Sequence, residues 1–237
     1  MTDEPLNESE LAALRALDTP TVCNAIEVGA PERRGFGFTS RSLHCMRPEL
    51  PPMVGYARTV MVRAFRPTAT PAADQVARRF AYLEYVADGA GPTISVVQDL
   101  DDAQAGFGAF WGEVNSNMHW ALGCIGTVTN GSIRDIDDLA EGFQGLAGAL
   151  TPSHGHMHVV DFGTEVNVAG MVVGTGDLVH ADRHGAVVIP HELARGIPAA
   201  ADLVSRREAV ILAAAKTPGA TVETIKQAMA EAAAVTS

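Results

Sequence analysis

Two short segments near the middle of the chain carry groups that could handle a small anion together with a metal ion. Gly112, Glu113 and Val114 open a predicted helix, and Arg134 and Asp135 follow the next predicted strand. Unpaired N–H groups at a helix N-terminus attract anions. Arg134 could clamp a carboxylate in a bidentate fork, Asp135 could give Mg²⁺ or Mn²⁺ a hard oxygen ligand, and Glu113 could hold a metal-bound water. The alternative is a capped helix beside a solvated ion pair, which would contribute little to stability.

The direction of the strand between these two segments determines whether their side chains lie close together. We predict a helix over "GAFWGEVNSNMHWALG" and a strand over "CIGTVTNG" that ends at Asn130-Gly131. A strand that follows the helix would return the chain to the edge of the sheet where the helix starts, and open α/β sheets bind ligands at such edges. We therefore expect Arg134 and Asp135 to lie near the start of the helix.

Hydrophobic periodicity in the first two thirds of the chain predicts alternating helices and strands. Helices are expected over "NESELAALRALDTPTVCNAIEV", with Asn7 or Ser9 as the N-cap and a break at Thr19-Pro20, over "PAADQVARRFAYLEYVADGAGP" and over "IDDLAEGFQGLAGA". Strands are expected over "PPMVGYARTVMVRAF" and "TISVVQDL". This alternation is typical of an α/β fold.

The last third of the chain changes character. Short strands separated by Gly and Asp turns are predicted over 156–190, as in a meander or a barrel-like sheet. Two helices are predicted after them, at 192–216 and 221–235. We expect one domain over 1–237, with 192–237 as a C-terminal helical extension.

Several histidines and acids outside the two segments could also do chemistry. His154, His156 and His158 would share one face of an extended segment and could bind Zn²⁺, although no Cys or carboxylate is close in sequence. Polar strand residues or contacts to a substrate are the alternatives. Asp177 and Asp182 are expected at turns, where Asp serves backbone geometry.

Other reactive residue types give weaker indications. His180 and His184 could face either the core or a site. An odd number of cysteines without C-x-x-C spacing predicts reduced thiols that fill the core or the near surface. They are Cys23, Cys45 and Cys124.

Composition limits the class of partner. Hydrophobic residues make up 47% of the chain, which is typical of a packed protein. The formal net charge is -11, which disfavours general electrostatic binding to nucleic acid or to an anionic membrane. No signal-like segment and no apolar run of membrane-spanning length is present, so a cytoplasmic location is expected. Lys216 and Lys226 are the only lysines, and both lie in the predicted C-terminal helices, which disfavours Schiff-base chemistry. Arg206-Arg207-Glu208 would form a solvated helix face or reach a neighbouring subunit's site.

The sequence resembles a known family in two longer motifs. "WGEV...G..G.V..G..RD" from Trp111 to Asp135 and "GMVVGTGDLVHADRHGAVVIP" over 170–190 are similar to the family that contains RraA and the metal-dependent HMG/CHA aldolases. These are 4-hydroxy-4-methyl-2-oxoglutarate and 4-carboxy-4-hydroxy-2-oxoadipate aldolases. "DTPTVCNAI" and "VGYARTV" extend the likeness to about 17–195. The resemblance implies an α/β/β/α sandwich with a barrel-like central sheet, assembled as a trimer or a dimer of trimers with the site at a subunit interface.

The resemblance also implies roles for the residues of the two segments. In the family's aldolases, the equivalents of Asp135, Arg134 and Glu113 bind a divalent metal, hold the pyruvyl group and act through metal-bound water. Backbone N–H groups over 112–114 would help to hold pyruvate. A glutamate from a neighbour's C-terminal helix contributes in the aldolases, and Glu208 is the candidate here.

The resemblance implies a function with alternatives. The expected activity is a class II-type, Mg²⁺- or Mn²⁺-dependent retro-aldol cleavage of a 4-hydroxy-2-oxo dicarboxylate to pyruvate, with oxaloacetate decarboxylation as a side activity. The alternatives are a non-catalytic regulator of an RNA-degrading enzyme and another metal-enolate enzyme on the same scaffold. Where the aldolases have a Gly-Asp-Asn type loop and an aspartate in the first helical segment, this chain has "PTATPAADQVARRFAYLEYV" and Asn24. We therefore expect a diverged member with a different substrate.

Overall fold

The computed structural model of the protein describes residues 4–236 and has a mixed β-sheet at its centre. The strands are β1 (His44–Cys45), β2 (Met53–Arg63), β3 (Thr93–Asp99), β4 (Ala109–Trp111), β5 (Cys124–Ile133), β6 (Gln144–Leu150), β7 (His158–Phe162), β8 (Val166–Val168), β9 (Met171–Val173), β10 (Leu178–Asp182) and β11 (Gly185–Ile189). The helices are α1 (Glu8–Arg15), α2 (Thr19–Gly29), α3 (Ala72–Ala87), α4 (Glu113–Ala121), α5 (His191–Ala194), α6 (Ile197–Ala215) and α7 (Val222–Ala233).

The sheet has a parallel centre and antiparallel flanks. Its order is β1-β6-β5-β3-β2-β10-β11, with β4 paired to β5 and β7 paired to β2. The neighbours β6, β5, β3 and β2 run parallel, whereas β1, β7, β10 and β11 join antiparallel. The sheet curls, and the β8-β9 hairpin packs on the same core cluster as β3 and β5. The predicted α/β fold with a barrel-like sheet and C-terminal helices is confirmed.

The core lies on both faces of the central strands. Ile94 and Val96 of β3 pack with Met171 of the hairpin, whereas Val97 packs on the opposite side with Tyr82 of α3. All of these side chains are buried. A strand buried on both faces needs apolar residues in succession, which explains the run "TISVV".

The first two helices begin at capping side chains, of which the first was predicted. The Asn7 side chain accepts from the Glu10 N–H at 3.0 Å, and the Glu10 carboxylate accepts from the Asn7 N–H at 2.8 Å, which is a capping box. Asp18 caps α2, with Pro20 in its first turn. Asn7 as the cap and the helix break before Thr19-Pro20 are therefore confirmed.

The predicted end of β5 is wrong. The strand continues through Asn130-Gly131 to Ile133, with a register irregularity between Thr129 and Ser132. The Asn130 side chain donates to the backbone oxygen of Asp99 at 2.9 Å and accepts from its N–H at 2.8 Å. The amide thereby supplies hydrogen bonds at the irregularity, so a dipeptide typical of turns stays inside a strand.

The helix predicted over "IDDLAEGFQGLAGA" is also wrong. A short 3-10 turn at Ile136–Asp138 is followed by β6. A Cβ at Gly145 would lie 3.1 Å from Cδ1 of Ile133, and one at Gly148 would collide with the backbone of Asn130. These glycines let β6 approach β5 closely, and their spacing imitates a helical pattern.

Two other predicted helices have different boundaries in the structure. The helix predicted from Gly108 onward starts at Glu113, because 109–111 form β4. The helix predicted over 192–216 is divided into α5 and α6 by Arg195-Gly196. Pro198 lies in the first turn of α6, where a missing N–H costs no hydrogen bond. Within residues 4–236, no helix is both long enough and apolar enough to cross a membrane.

Candidate active site

The structure brings the two segments of interest together at one edge of the sheet. Strand β4 pairs in parallel with β5, with Trp111 opposite Ile133, so both strands end at the same edge of the sheet. The Arg134 N–H donates to the backbone oxygen of Trp111 at 3.0 Å. Gly112 is the N-cap of α4, and Asp135 directly follows Arg134.

Asp135 occupies a constrained position at the start of α4. Its φ of 51° lies in the left-handed region, which Asp tolerates better than most residues with a Cβ. Its Oδ2 lies 3.4 Å from the Glu113 N–H nitrogen and 3.4 Å from Nε of Arg134. A Cβ on Gly112 would lie 2.6 Å from the same oxygen, so only glycine leaves room for the carboxylate. Such strained positions cluster at functional sites.

Arg134 is held beside this carboxylate. Its guanidinium also donates to the backbone oxygen of Pro152 at 3.4 Å, and its side chain keeps 38% exposure. Both contacts are long for hydrogen bonds, so most of the donor capacity of the guanidinium is available to a ligand.

A cavity of about 420 Å³ opens at this site. Gly112, Val114, Arg134 and Asp135 line it, together with residues of α3, of the segment after β6 and of β7. Asp135 is the sole acid among the described lining residues, although the whole chain carries a net charge of -11. A cavity with an excess of cationic groups favours an anionic ligand.

Glu113 and Val114 contribute differently from the prediction. Val114 lines the cavity with an exposed side chain, whereas Glu113 is exposed and does not line it. The contact of Glu113 to the site is its backbone N–H, which points to Asp135. A role of the Glu113 carboxylate through bound water therefore stays a prediction.

The three histidines after β6 do not alternate along one strand. His154 and His156 precede β7, which begins at His158, and Gly155 between them turns the chain at a φ of 53°. The predicted extended segment is therefore wrong. His154 and His158 line the cavity, and no group of three or more His, Cys, Asp or Glu in residues 4–236 could hold a metal ion. The zinc interpretation has no support.

The buried wall of the cavity is a hydrogen-bonded network that sequence reasoning missed. Nδ1 of His119 donates to the backbone oxygen of Asn115 at 2.7 Å, so Nε2 accepts from the Tyr82 hydroxyl at 2.9 Å. The Tyr82 hydroxyl accepts from Ser95 Oγ at 3.0 Å. Burial lowers the pKa of His119 to about 4, against the opposite effect of its bond to Asn115. The imidazole is therefore neutral and gives the wall rigidity without charge.

Sequence reasoning also missed the contribution of α3. Gln75, Arg79 and Leu83 line the cavity at intervals of four residues, next to the buried Tyr82. That spacing places them on one helix face. The signal was present in "DQVARRFAYLEYV", but which face meets a cavity depends on tertiary packing.

The acids and histidines of β10 and its turns are structural. The buried His180 accepts from Thr19 Oγ1 at 3.0 Å and donates to the backbone oxygen of Leu17 at 3.0 Å. Asp182 accepts from the Thr19 N–H at 2.9 Å, and Asp177 accepts from the Gly174 N–H at 2.7 Å. These bonds fix the start of α2 and a turn, which confirms the structural interpretation of both acids.

The remaining candidates lie outside the cavity. His184 is partly exposed and donates to Asp182. Glu208 is exposed on α6 and does not line the cavity of its own chain, so its contribution to a neighbouring subunit stays a prediction. Burial raises the pKa of Cys23 and Cys124 to about 11, which agrees with unreactive thiols.

Comparisons with known proteins identify the family of the chain. A family model described as RraA-like, aldolase/RraA, matches residues 19–188, which contain both segments of the site. The chain belongs to the RraA-like family. No curated protein matches the sequence.

Solved structures similar to this RraA-like chain show the same fold. An uncharacterized protein from Pseudomonas syringae pv. tomato is 21% identical, with a TM-score of 0.70 over 96% of this chain and 97% of that chain. Streptomyces coelicolor RraAS2, an unusual member of the RNase ES inhibitor RraA family, is 24% identical, with a TM-score of 0.65 over 88% and 98%. The RNA-processing inhibitor RraA from Thermus thermophilis is 20% identical, with a TM-score of 0.51 over 71% and 92%.

Proposed function

We propose that this RraA-like protein is a divalent-metal-dependent carbon–carbon lyase that cleaves a 4-hydroxy-2-oxo dicarboxylate and releases pyruvate, with decarboxylation of oxaloacetate as a side activity. The observation that carries the proposal is the meeting of Asp135, Arg134 and the start of α4 inside one cavity. A small oxo acid is the substrate class that a guanidinium, an exposed carboxylate and a helix N-terminus together would recognise.

The donor set fits a hard ion that keeps most of its water. Oδ2 of Asp135 is engaged by the Glu113 N–H and by Arg134, whereas Oδ1 has no hydrogen-bond partner within residues 4–236. Mg²⁺ commonly binds through one or two carboxylates and retains several waters, so Asp135, with Glu113 acting through water, is an adequate set for Mg²⁺ or Mn²⁺. When bound, the ion would supply a Lewis acid for the keto oxygen.

The chain's own groups would carry the rest of the reaction. Arg134 would hold the pyruvyl carboxylate in a bidentate fork and fix its plane. The N–H groups at the start of α4, around Gly112 to Val114, would stabilise negative charge that develops on the keto oxygen. Glu113, exposed beside them, would exchange the proton of the substrate hydroxyl through water. The two lysines, Lys216 and Lys226, lie outside the cavity, so none is placed for a Schiff base.

Pyruvate release tests the proposal directly. We expect the wild type to release pyruvate from oxaloacetate and from 4-hydroxy-2-oxo dicarboxylates with Mg²⁺ or Mn²⁺, and to stop when EDTA is added. Asp135→Asn should lower the rate by about a hundredfold or more, because it removes the anionic ligand. Asp137→Asn is the matched control, since Asp137 is an exposed neighbour that does not line the cavity. Equal release in all cases would reject the metal role.

Assembly belongs to the same proposal. We propose a homotrimer or a dimer of trimers, with Glu208 of one subunit completing the site of another. Light scattering after size-exclusion chromatography gives the subunit number, and a monomer with full activity would contradict it.

A second candidate is a protein-binding regulator of an RNA-degrading enzyme. Two of the structural relatives are RraA proteins named as RNase or RNA-processing inhibitors, and the net charge of -11 would complement a basic partner surface. Recovery of a basic RNase in a pull-down, together with no turnover of any oxo acid, would favour this candidate. A substrate panel followed by NMR separates a third candidate, another metal-enolate enzyme, from the lyase.

A further inference from the structure

Helix α3 adds a second guanidinium to the cavity that contains Arg134. Arg79 lines the cavity from α3, with Gln75 one turn before it. No acid in residues 4–236 forms an ion pair with Arg79, whereas Arg134 lies beside Asp135. The cavity therefore has two separate cationic side chains and one carboxylate.

We propose that Arg79 binds the second carboxylate of a dicarboxylate substrate, the one that Arg134 does not hold. This assignment rests on the proposed function, because it takes Arg134 as the group that binds the pyruvyl carboxylate. It makes Arg79 the residue that selects a dicarboxylate over a monocarboxylate in this chain.

The rotation of α3 is fixed by buried residues on the same face as Arg79. Tyr82 and Val86 are buried against the sheet, and Tyr82 is also held by hydrogen bonds to Ser95 and His119. Arg79 lies one turn before Tyr82 and two turns before Val86, so the contacts that bury these residues also place Arg79 at the border of the cavity. The position of Arg79 thus follows from the fold and not from a flexible loop.

A neutral partner orients the Arg79 guanidinium. It donates to Oδ1 of Asn115 in α4 at 3.1 Å, and the Asn115 amide nitrogen donates to the backbone oxygen of Phe110. The second bond fixes which end of the Asn115 amide is the oxygen. Because Asn115 carries no charge and uses one N–H of five, the guanidinium keeps its charge and its donors for a ligand.

The remaining lining suits the carbon skeleton of such a ligand. Val76, Leu83, Met157 and Val159 contribute apolar side chains, and the cavity of about 420 Å³ is in the size range of small-molecule sites. A ligand with an anionic group at each end and methylenes between them matches two guanidiniums and an apolar lining.

Arg78 provides a matched control on the same helix. Its guanidinium donates to the backbone oxygen of Val160, and the residue does not line the cavity. Arg78→Gln and Arg79→Gln therefore make the same change of charge on adjacent exposed residues, and only the second changes the cavity.

Calorimetric binding of two ligands to the full-length protein with Mg²⁺ tests the assignment. Oxalate, a short planar dianion, needs the Arg134 region alone, whereas 2-oxoadipate carries a second, distant carboxylate. We expect Arg79→Gln to weaken 2-oxoadipate binding about tenfold and to leave oxalate binding within twofold of wild type. The 2-oxoadipate affinity of Arg79→Lys should lie between those of the wild type and Arg79→Gln. Arg78→Gln should bind both ligands as the wild type does.

Three results would overturn the assignment. Unchanged 2-oxoadipate affinity in Arg79→Gln excludes contact with the second carboxylate. An equal loss for both ligands places the effect at the pyruvyl end, and a wild type that binds neither ligand shows that the cavity is not a dicarboxylate site. Failure of the lyase proposal looks different: pyruvate is not released from any substrate, while the Arg79-dependent difference in binding persists.

Discussion

Substitution of Gly112 by alanine tests whether the close approach of α4 and Asp135 creates the site. The new Cβ would lie 2.6 Å from Oδ2 of Asp135 and 3.2 Å from Cγ of Arg134, where ordinary contact begins at 3.4 Å. The carboxylate therefore has to move by about 0.8 Å, the difference between 3.4 and 2.6 Å. The backbone of Gly112 is extended, with φ of -175°, so alanine adds no backbone strain.

The expected result is a damaged site in an intact fold. A misplacement of about 1 Å can cost on the order of a hundredfold in rate, so Gly112→Ala should lower metal-dependent pyruvate release by about 10- to 100-fold. The melting temperature should fall by only a few degrees, because Asp135 is 36% exposed and can rotate away.

A coupled assay of pyruvate release, with oxalate binding in the presence of Mn²⁺ as a second readout, measures the effect. Gly35→Ala is the control, since a Cβ at Gly35 would meet nothing within 4 Å. If Gly112→Ala keeps wild-type release and wild-type oxalate affinity, the contact between Gly112 and Asp135 does not shape the site.

Three further outcomes are expected. Burial lowers the pKa of His119 to about 4, so this side chain binds a proton more readily in the unfolded state, and the free energy of unfolding should fall by about 3 kcal/mol between pH 6.5 and pH 4. Urea denaturation should show this extra acid sensitivity in the wild type and not in His119→Gln. Parallel pH profiles of the two proteins would disprove it. The two carboxylate oxygens of Asp182 accept from the N–H groups of Thr19 and His184, and in Asp182→Asn an NH₂ group takes the place of one of these oxygens. The free energy of unfolding should therefore fall by about 1–3 kcal/mol. An unchanged urea midpoint would argue against this role. Glu208→Gln should reduce pyruvate release without changing the number of subunits. Glu223→Gln changes another exposed acid of the C-terminal helices and should leave pyruvate release unchanged. Equal rates in the two variants would show that Glu208 does not belong to the site.

The errors of the sequence-based predictions have a common physical origin. A helix is predicted over 136–149, where the structure has a 3-10 turn and β6. The glycines that permit close approach of the strands are spaced so that the segment also matches the apolar periodicity of a helix. Asn130-Gly131 is typical of a turn, but its side-chain bonds to Asp99 keep it within β5. In both places, a neighbouring strand far along the chain overrides the local preference.

The amino-acid sequence by itself determined the α/β class, the capped N-terminal helices and the placement of Gly112 and Arg134-Asp135 at the ends of neighbouring elements, because hydrophobic periodicity and turn residues are local properties. It also shows that the chain has only two lysines, Lys216 and Lys226, both in its C-terminal part. Tertiary structure alone decided that Asp135 sits against Gly112, that Arg79 faces the same cavity as Arg134 and that His156 does not. Those facts depend on strand register and on helix rotation, which are set by buried side chains that meet from distant parts of the chain.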